Sequence, residues 1–442
     1  MRFLERRFQL AAHGTTAARE AFAGLTTFLT MAYIVFVQPA VLSAAGMDFG
    51  AVMAATCLST ALATTMMALT ANYPIAVAPA MGHNFFFAYS VVVGMKVPWQ
   101  VALGAVAIAG FVFVVTAGIG LREHVMTAIP ESLKHAIAAG IGLLIAMVGL
   151  QWAGLVVAAP GTLVTLGSLH SRPVVVALAG LTVTAALMAR GVTGALLWGI
   201  LASAALGFPL GILQYHGIAS PPPSLAPTLL QFDIAGALAP GMTPVVLVFF
   251  LLALFDSIGT LVAVGGQAGL MRGNSLPRAK QALLADAVGT VAGAALGTST
   301  VTAYIESSAG VAAGGRTGLT ALVTAALFLL TLFFSPLVRM IGGGYPAGET
   351  TLYPVIAPAL IAVGALIIGT VRDIEWADPT EAIPAFLTII VMPLAVSITE
   401  GVAFGVVAYV VLKVSTGRRN QVHPLLYVFA LLFVARYAFL RA

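Results

Sequence analysis

Stretches such as "FFLLALFDSIGTLVAVGG" (Phe249 to Gly266) decide what this chain can become. Apolar runs of roughly 18 residues or more recur from end to end, each long enough to cross about 30 Å of hydrocarbon. Only 8% of the residues are charged and 60% are hydrophobic, where a soluble domain would carry about a quarter charged. The pattern implies an all-α polytopic membrane protein. The runs are continuous rather than alternating, which excludes a β-barrel. Cys57 is the sole cysteine, so neither an internal disulfide nor a thiolate metal cluster can form.

Reading apolar runs against Gly, Pro and charged breaks predicts about fourteen spans. They lie at 21–45, 51–71, 75–93, 99–120, 133–152, 172–189 and 192–213, then at 243–268, 279–296, 299–314, 317–341, 350–371, 381–398 and 400–415. A further apolar stretch, 422–439, is left unassigned. The basic segment 1–20 precedes a run too long for a signal-peptide core, so the first span is read as retained. With that segment on the cytoplasmic side, loops after even-numbered spans should collect Lys and Arg. Fifteen of the twenty do so, among them Arg19, Arg122, Arg190, Arg272, Arg316 and Arg418. Lys96, Arg172 and Arg339 fall opposite, and Arg436 and Arg441 lie in the tail. Segment 214–242 has neither Lys nor Arg, as an external loop should. The net charge of +5 is therefore a matter of orientation, and no nucleic-acid partner is expected.

Seven spans and seven suggest duplication, and an odd number per half forces the two repeats to insert with inverted orientation. "ARGVTGALLWGILASAALG" (189–207) opens the seventh span much as "TEGVAFGVVAYVVLKV" (399–414) opens the fourteenth. The third and tenth spans are both broken, by Pro79 and Gly82 in one and by a Thr/Ser/Val stretch before Glu306 in the other. Broken backbone inside a bilayer is tolerated only where it is buried or lines a wet cavity. Matching interruptions in two halves point to a midplane transport site; kinked packing helices are the plainer alternative.

Acids inside the bilayer cost roughly 2.5–3.5 kcal/mol each, which singles out Glu306, Asp256, Asp286 and Glu400. If 298–302 is extended, Glu306 falls in the first turn of a half-helix, where N–H groups and the dipole favour anions. Ser307 and its small neighbours leave room for a ligand; a mere capping acid is the alternative. Asp256 has no basic residue within a helical turn and needs a partner from another span, a ligand or a proton. Asp286 could equally pair with a hydroxyl, and Glu400 reads as a solvated span end. After the first break come His83, Asn84 and Phe85: a proton relay or satisfied histidine, an amide ligand or helix cap, and a ring able to stack on a planar molecule. Thr27, in the first span, completes the candidate substrate set of Glu306, Asp256, Asn84, His83, Phe85, Thr27 and Ser307. Asp256, Asp286 and Glu306 are the candidates for proton coupling. Carboxylates and an amide without a fixed cation suit a neutral planar molecule with N–H donors, and suit an inorganic anion poorly.

The stretches "AGLTTFLTMAYIVFVQPAVLSAAGMD" (23–48), "APAMGHNFFFAY" (78–89), "FDSIGTL" (255–261), "LLADAVGTVAGAALGTSTVTAYIESSAGVAAGGRTGLTALV" (283–323) and "DPTEAIPAFLTIIVMPL" (378–394) resemble the AzgA-type purine permeases of the nucleobase–ascorbate transporter superfamily, over nearly the whole chain. That resemblance implies a core domain (21–120 and 243–341), a gate domain (121–213 and 342–416), the external loop 214–242 and a C-terminal segment 417–442. It implies proton-coupled uptake of adenine, guanine or hypoxanthine across the cytoplasmic membrane, with no cofactor, and is compatible with a homodimer. The family's acids fall on Glu306, Asp286 and Asp256, and its third-span asparagine on Asn84. Two positions depart from the family pattern: Ala253 stands where a second acid is common, and Gly-His-Asn at 82–84 replaces Gly-Leu-Asn. The competing readings are an anion carrier of sulfate or bicarbonate type on the same fold, a channel, and an intramembrane aspartyl protease, which lacks its Gly-x-Gly-Asp context.

Overall fold

The computed structural model describes residues 2–119, 130–159, 161–271, 276–348 and 350–439. The end of the expected fourth span at 120, and Arg122, Arg272 and Arg441 of the charge pattern, lie outside the described residues. Among those described, eight helices are long and apolar enough to cross a membrane: Ala17–Ser43, Phe49–Ala71, Trp99–Gly118, Glu131–Trp152, Arg172–Ala189, Thr243–Gln267, Gly318–Gly342 and Ile398–Ser415. The other expected spans take different forms. Three are shorter or less apolar helices, Ala195–Gly207, Ala279–Leu296 and Pro379–Ala395, and one is the helix Ala357–Ile367 continued by a 3-10 turn to Asp373. The unassigned tail contains the helix Pro424–Phe439.

The two broken segments are not helices through their middles. Strand β1 (Val77–Pro79) and, far along the chain, β4 (Val301–Ala303) pair antiparallel, with Val77 opposite Ala303 and Pro79 opposite Val301. Both strands are buried. The remaining strands form two hairpins, β2 (Val156–Ala159) with β3 (Leu163–Leu166), and β5 (Tyr345–Ala347) with β6 (Thr350–Leu352). A two-stranded sheet at bilayer depth has two open edges, and each orphaned backbone group there costs free energy. Threonines of neighbouring helices close both edges in the same manner. Thr64 Oγ1 donates to the Val77 carbonyl at 2.9 Å and accepts from Val77 N–H at 2.9 Å. Thr290 Oγ1 does likewise with Val301, donating at 2.8 Å and accepting at 3.2 Å.

Helices follow each strand at once: Met81–Phe85 after β1, continued by a π-helical stretch Phe86–Gly94, and Ser307–Ala312 after β4. Around the crossing, helices Ala17–Met31, Phe49–Met66, Trp99–Ile119, Ala279–Leu296 and Gly318–Thr331 pack as one group. A second group comprises Glu131–Trp152, Arg172–Ala189, Ala195–Gly207, Ala357–Ile367, Pro379–Ala395 and Ile398–Ser415. Close approach in the second group depends on facing glycines. A Cβ at Gly142 would stand 2.9 Å from the Gly364 carbonyl, and one at Gly364 would stand 2.5 Å from the Gly142 carbonyl, so neither site accepts a side chain without separating the helices.

Candidate functional site

Three acids converge on β4 and the turn after it. Thr302 donates its hydroxyl to Asp256 Oδ2 at 2.9 Å, and the next residue, Ala303, donates its N–H to Asp286 Oδ2 at 3.1 Å. Glu306 follows three positions later, at the N-cap of helix Ser307–Ala312, where it makes no capping hydrogen bond with its own side chain. The expectation placed it in the first turn; it stands one position earlier. The alternative of a capping acid is thereby answered, because the carboxylate is turned elsewhere. Tyr33 donates to its Oε1 at 2.8 Å. At the other end of the same short helix, the Arg316 guanidinium donates to the carbonyls of Val311 and Gly315, each at 2.7 Å. An acid at the N-end and a cation at the C-end both complement the helix dipole.

Their surroundings differ. Asp286 is fully buried, whereas Glu306 is half-buried and Asp256 is exposed to open space. Glu306 borders a cavity of about 750 Å³. Its walls include Thr26 and Thr30 of the first helix, Gly191 to Leu196 before and within helix Ala195–Gly207, and Ala309, Ala312 and Ala313. Among the described residues, neither Lys nor Arg lines it.

The other candidates from the sequence lie in the packing around these acids. Ser307 is buried and its Oγ accepts from Ala76 N–H at 3.0 Å, fastening the start of β1. Thr27 is buried against Gly310, where any Cβ would collide with its hydroxyl. Asn84 is fully buried; its Oδ1 accepts from the Ser299 hydroxyl, so it ties the helix after β1 to the approach of β4. His83 is buried with its ring beside the Leu252 carbonyl. Phe85 is fully buried and stacks on Tyr89 at 5.7 Å with an 11° interplanar angle, facing Trp152 beyond. Glu400, at the start of helix Ile398–Ser415, bonds Tyr437 of helix Pro424–Phe439.

Three participants escaped the sequence reading: Tyr33, Thr302 and Gln38. Gln38 is fully buried and donates to Thr298 Oγ1 at 2.9 Å and Ser299 Oγ at 3.2 Å. A lone amide inside the apolar run "AYIVFVQPAVL" was the available signal for it. Tyr33 and Thr302 carried none, since tyrosine and threonine are unremarkable in a span.

Polar contacts also cross between the two helix groups. Trp152 Nε1 donates to the Tyr89 hydroxyl at 2.9 Å, and Tyr353 packs on Trp152 at 4.3 Å between ring centres. Ser90 Oγ donates to the Val396 carbonyl at 3.2 Å and accepts from Ile398 N–H at 3.1 Å. Val396 has φ of 49°, a left-handed conformation that a β-branched residue adopts only under constraint.

A family model described as "Permease family" matches residues 18–404. The chain belongs to the permease family. The adenine permease AdeP of Escherichia coli (strain K12) is 46% identical to this permease over 440 residues, 99% of the chain and 97% of AdeP. The guanine/hypoxanthine permease PbuG of Bacillus subtilis (strain 168) is 46% identical over 446 residues, 98% of the chain and 99% of PbuG. In fold, the permease is similar to the transmembrane domain of a cyanobacterium bicarbonate transporter, BicA, with a TM-score of 0.61 at 17% identity, covering 88% of the chain and 97% of that domain. The permease is an integral membrane protein and a transporter, not an enzyme.

Proposed function

We propose that the permease is a proton-coupled symporter that imports a purine nucleobase (adenine, guanine or hypoxanthine) across the cytoplasmic membrane by alternating access. The observation that carries this reading is the Glu306 carboxylate, held at a half-helix N-terminus on the wall of a cavity without a lining cation among the described residues. Such a group accepts N–H donors from a flat neutral base and repels an anion. Adenine and guanine/hypoxanthine permeases at 46% identity support it. Asp256, exposed beside Thr302, serves as second contact or proton carrier, and Asp286 as its buried neighbour. One inward proton contributes about 2.3 kcal/mol per 100 mV.

The matched clamps of Thr64 on Val77 and Thr290 on Val301 support two inverted repeats of seven spans each, and the distribution of Lys and Arg supports a cytoplasmic N-terminus. The helix group around the crossing is the core and the second group the gate. A homodimer is compatible with this arrangement. The second reading, an anion carrier, is favoured by the likeness to the bicarbonate transporter fold and disfavoured by an acid, Glu306, with no cation among the described residues on the cavity wall. Uptake of labelled adenine, guanine, hypoxanthine and uracil into proteoliposomes, with and without a proton gradient, decides between them. Gradient-dependent accumulation of a purine, competed by purines and not by sulfate or bicarbonate, is expected; the reverse competition pattern would overturn the proposal.

Gly191 to Gly194 line the cavity next to Arg190, which the charge pattern assigns to the cytoplasmic side, and the same span pattern assigns the Tyr89–Trp152 and Ser90–Val396 contacts to the external side. The permease is therefore read as inward-open. With Cys57 replaced by Ser, a cysteine at Ala309 should react with an impermeant maleimide from the cytoplasmic face only. Adding Trp152→Ala and Ser90→Ala should bring external labelling. External labelling without those changes would refute the inward-open assignment.

A further inference from the structure

We propose that Tyr33 is a positioning residue of the substrate site, its hydroxyl holding one oxygen of Glu306 so that the other is presented to the cavity. The proposal rests on the purine-transport reading for its functional consequence and on geometry alone for the contact.

The first membrane helix meets the half-helix after β4 through residues three apart. Thr27 lies against Gly310, the Thr30 hydroxyl, whose shortest acceptor is the Thr27 carbonyl at 2.8 Å, stands 3.3 Å from the Glu306 carbonyl, and the Tyr33 hydroxyl reaches Glu306 Oε1 at 2.8 Å. Spacing of three puts successive side chains on one helical face, so a single stripe governs both the backbone and the side chain of Glu306. Tyr33 stands in the break between helices Ala17–Met31 and Ile34–Ser43. It is 1% exposed. A buried tyrosine needs a partner for its hydroxyl, and here the partner is the carboxylate. Residues Ile34 to Leu42, which follow it, are all buried, so the ring has no room to swing away.

Glu306 receives no other side-chain donor among the described residues; its own backbone N–H also reaches the carboxylate, while the following helix takes no capping bond from it. Tyr33 therefore sets the direction of that group. A carboxylate has about four acceptor sites, so with the Tyr33 hydroxyl and its own backbone N–H bound, Glu306 still has acceptor capacity to spare. That capacity remains available to ligand N–H groups, with the torsional freedom of a glutamate already removed. Preorganisation of this kind strengthens binding without adding a ligand contact.

Tyr33→Phe keeps the ring and removes only the donor. Two measurements on the purified full chain test the idea. In proteoliposomes, the KM for the transported purine should rise roughly tenfold, the expected loss for one hydrogen bond to a charged group, with Vmax little changed. Independently of any substrate, the infrared band of the Glu306 carboxyl group, isolated by subtracting the Glu306→Gln spectrum, should shift in Tyr33→Phe. An unmoved band overturns the contact. A shifted band with unchanged KM, or a loss confined to folded yield and melting temperature, overturns the positioning role. If the unmutated permease accumulates no purine, the transport reading fails on its own, while the infrared comparison still decides whether Tyr33 holds Glu306.

Discussion

Glu306→Gln should abolish purine accumulation while leaving the protein folded and at normal abundance in the membrane. Glutamine has the shape of glutamate and still accepts from Tyr33, whose hydroxyl lies 2.8 Å from the carboxylate. It differs in presenting an NH₂ group where the acid offered a second acceptor. A ligand N–H would then face another donor. Hydrogen bonds to a charged group contribute about 1.5–3 kcal/mol each, so losing two of them should lower Vmax/KM by at least roughly a hundredfold. Glu306→Asp, one methylene shorter, should fall between. Uptake in the Gln variant within about twofold of the unmutated protein would remove Glu306 from the substrate site.

Glu20→Ala should have the largest effect on folding. Glu20 was read from the sequence as part of a basic N-terminal segment, yet its side chain is fully buried. It accepts Arg316 N–H at 2.9 Å, Thr317 N–H at 3.2 Å and Thr320 N–H at 3.3 Å, together with the hydroxyls of Thr317 at 2.8 Å and Thr320 at 2.7 Å. The backbone N–H groups entering helix Gly318–Thr331 lack intrahelical partners, and this one carboxylate, 296 to 300 positions away, accepts those of Arg316, Thr317 and Thr320. The neighbouring Gly318 N–H goes to Asn72 Oδ1 at 2.9 Å. Alanine leaves several donors unmatched at about 1–3 kcal/mol each, and a loss of roughly 3 kcal/mol or more is expected, against total stabilities of about 5–15 kcal/mol. The readouts are melting temperature in detergent and folded yield from membranes, and Glu20→Gln should recover part of the loss. An alanine variant with unaltered melting would show that water serves those donors equally well.

Much of the fold was legible residue by residue. The eight long apolar helices follow from runs whose transfer free energies add locally along the chain. The breaks at Pro79 to Gly82 and before Glu306 were legible because proline, glycine and β-branched runs weaken a helix wherever they occur. Helix ends were less so: spans expected as uniform rods emerged as short helices or 3-10 turns, as at Ala357–Ile367, because capping and packing decide where a helix stops. The candidate site divided along the same line. That Glu306, Asp256 and Asp286 are chemically conspicuous could be read from their apolar settings. That Ser307 and Asn84 fasten the crossing could not, since their partners are Ala76 and Ser299.

By itself, then, the sequence determined that the chain enters the membrane, where its helices break and which acids go in with it. These properties depend on each residue and its near neighbours against a fixed solvent. Only the tertiary structure decided what the acids touch. Tyr33 and Glu306 are 273 positions apart and Thr302 and Asp256 are 46 apart. A hydrogen bond requires its atoms within about 3 Å, and only the packing of the helices brings such distant residues that close.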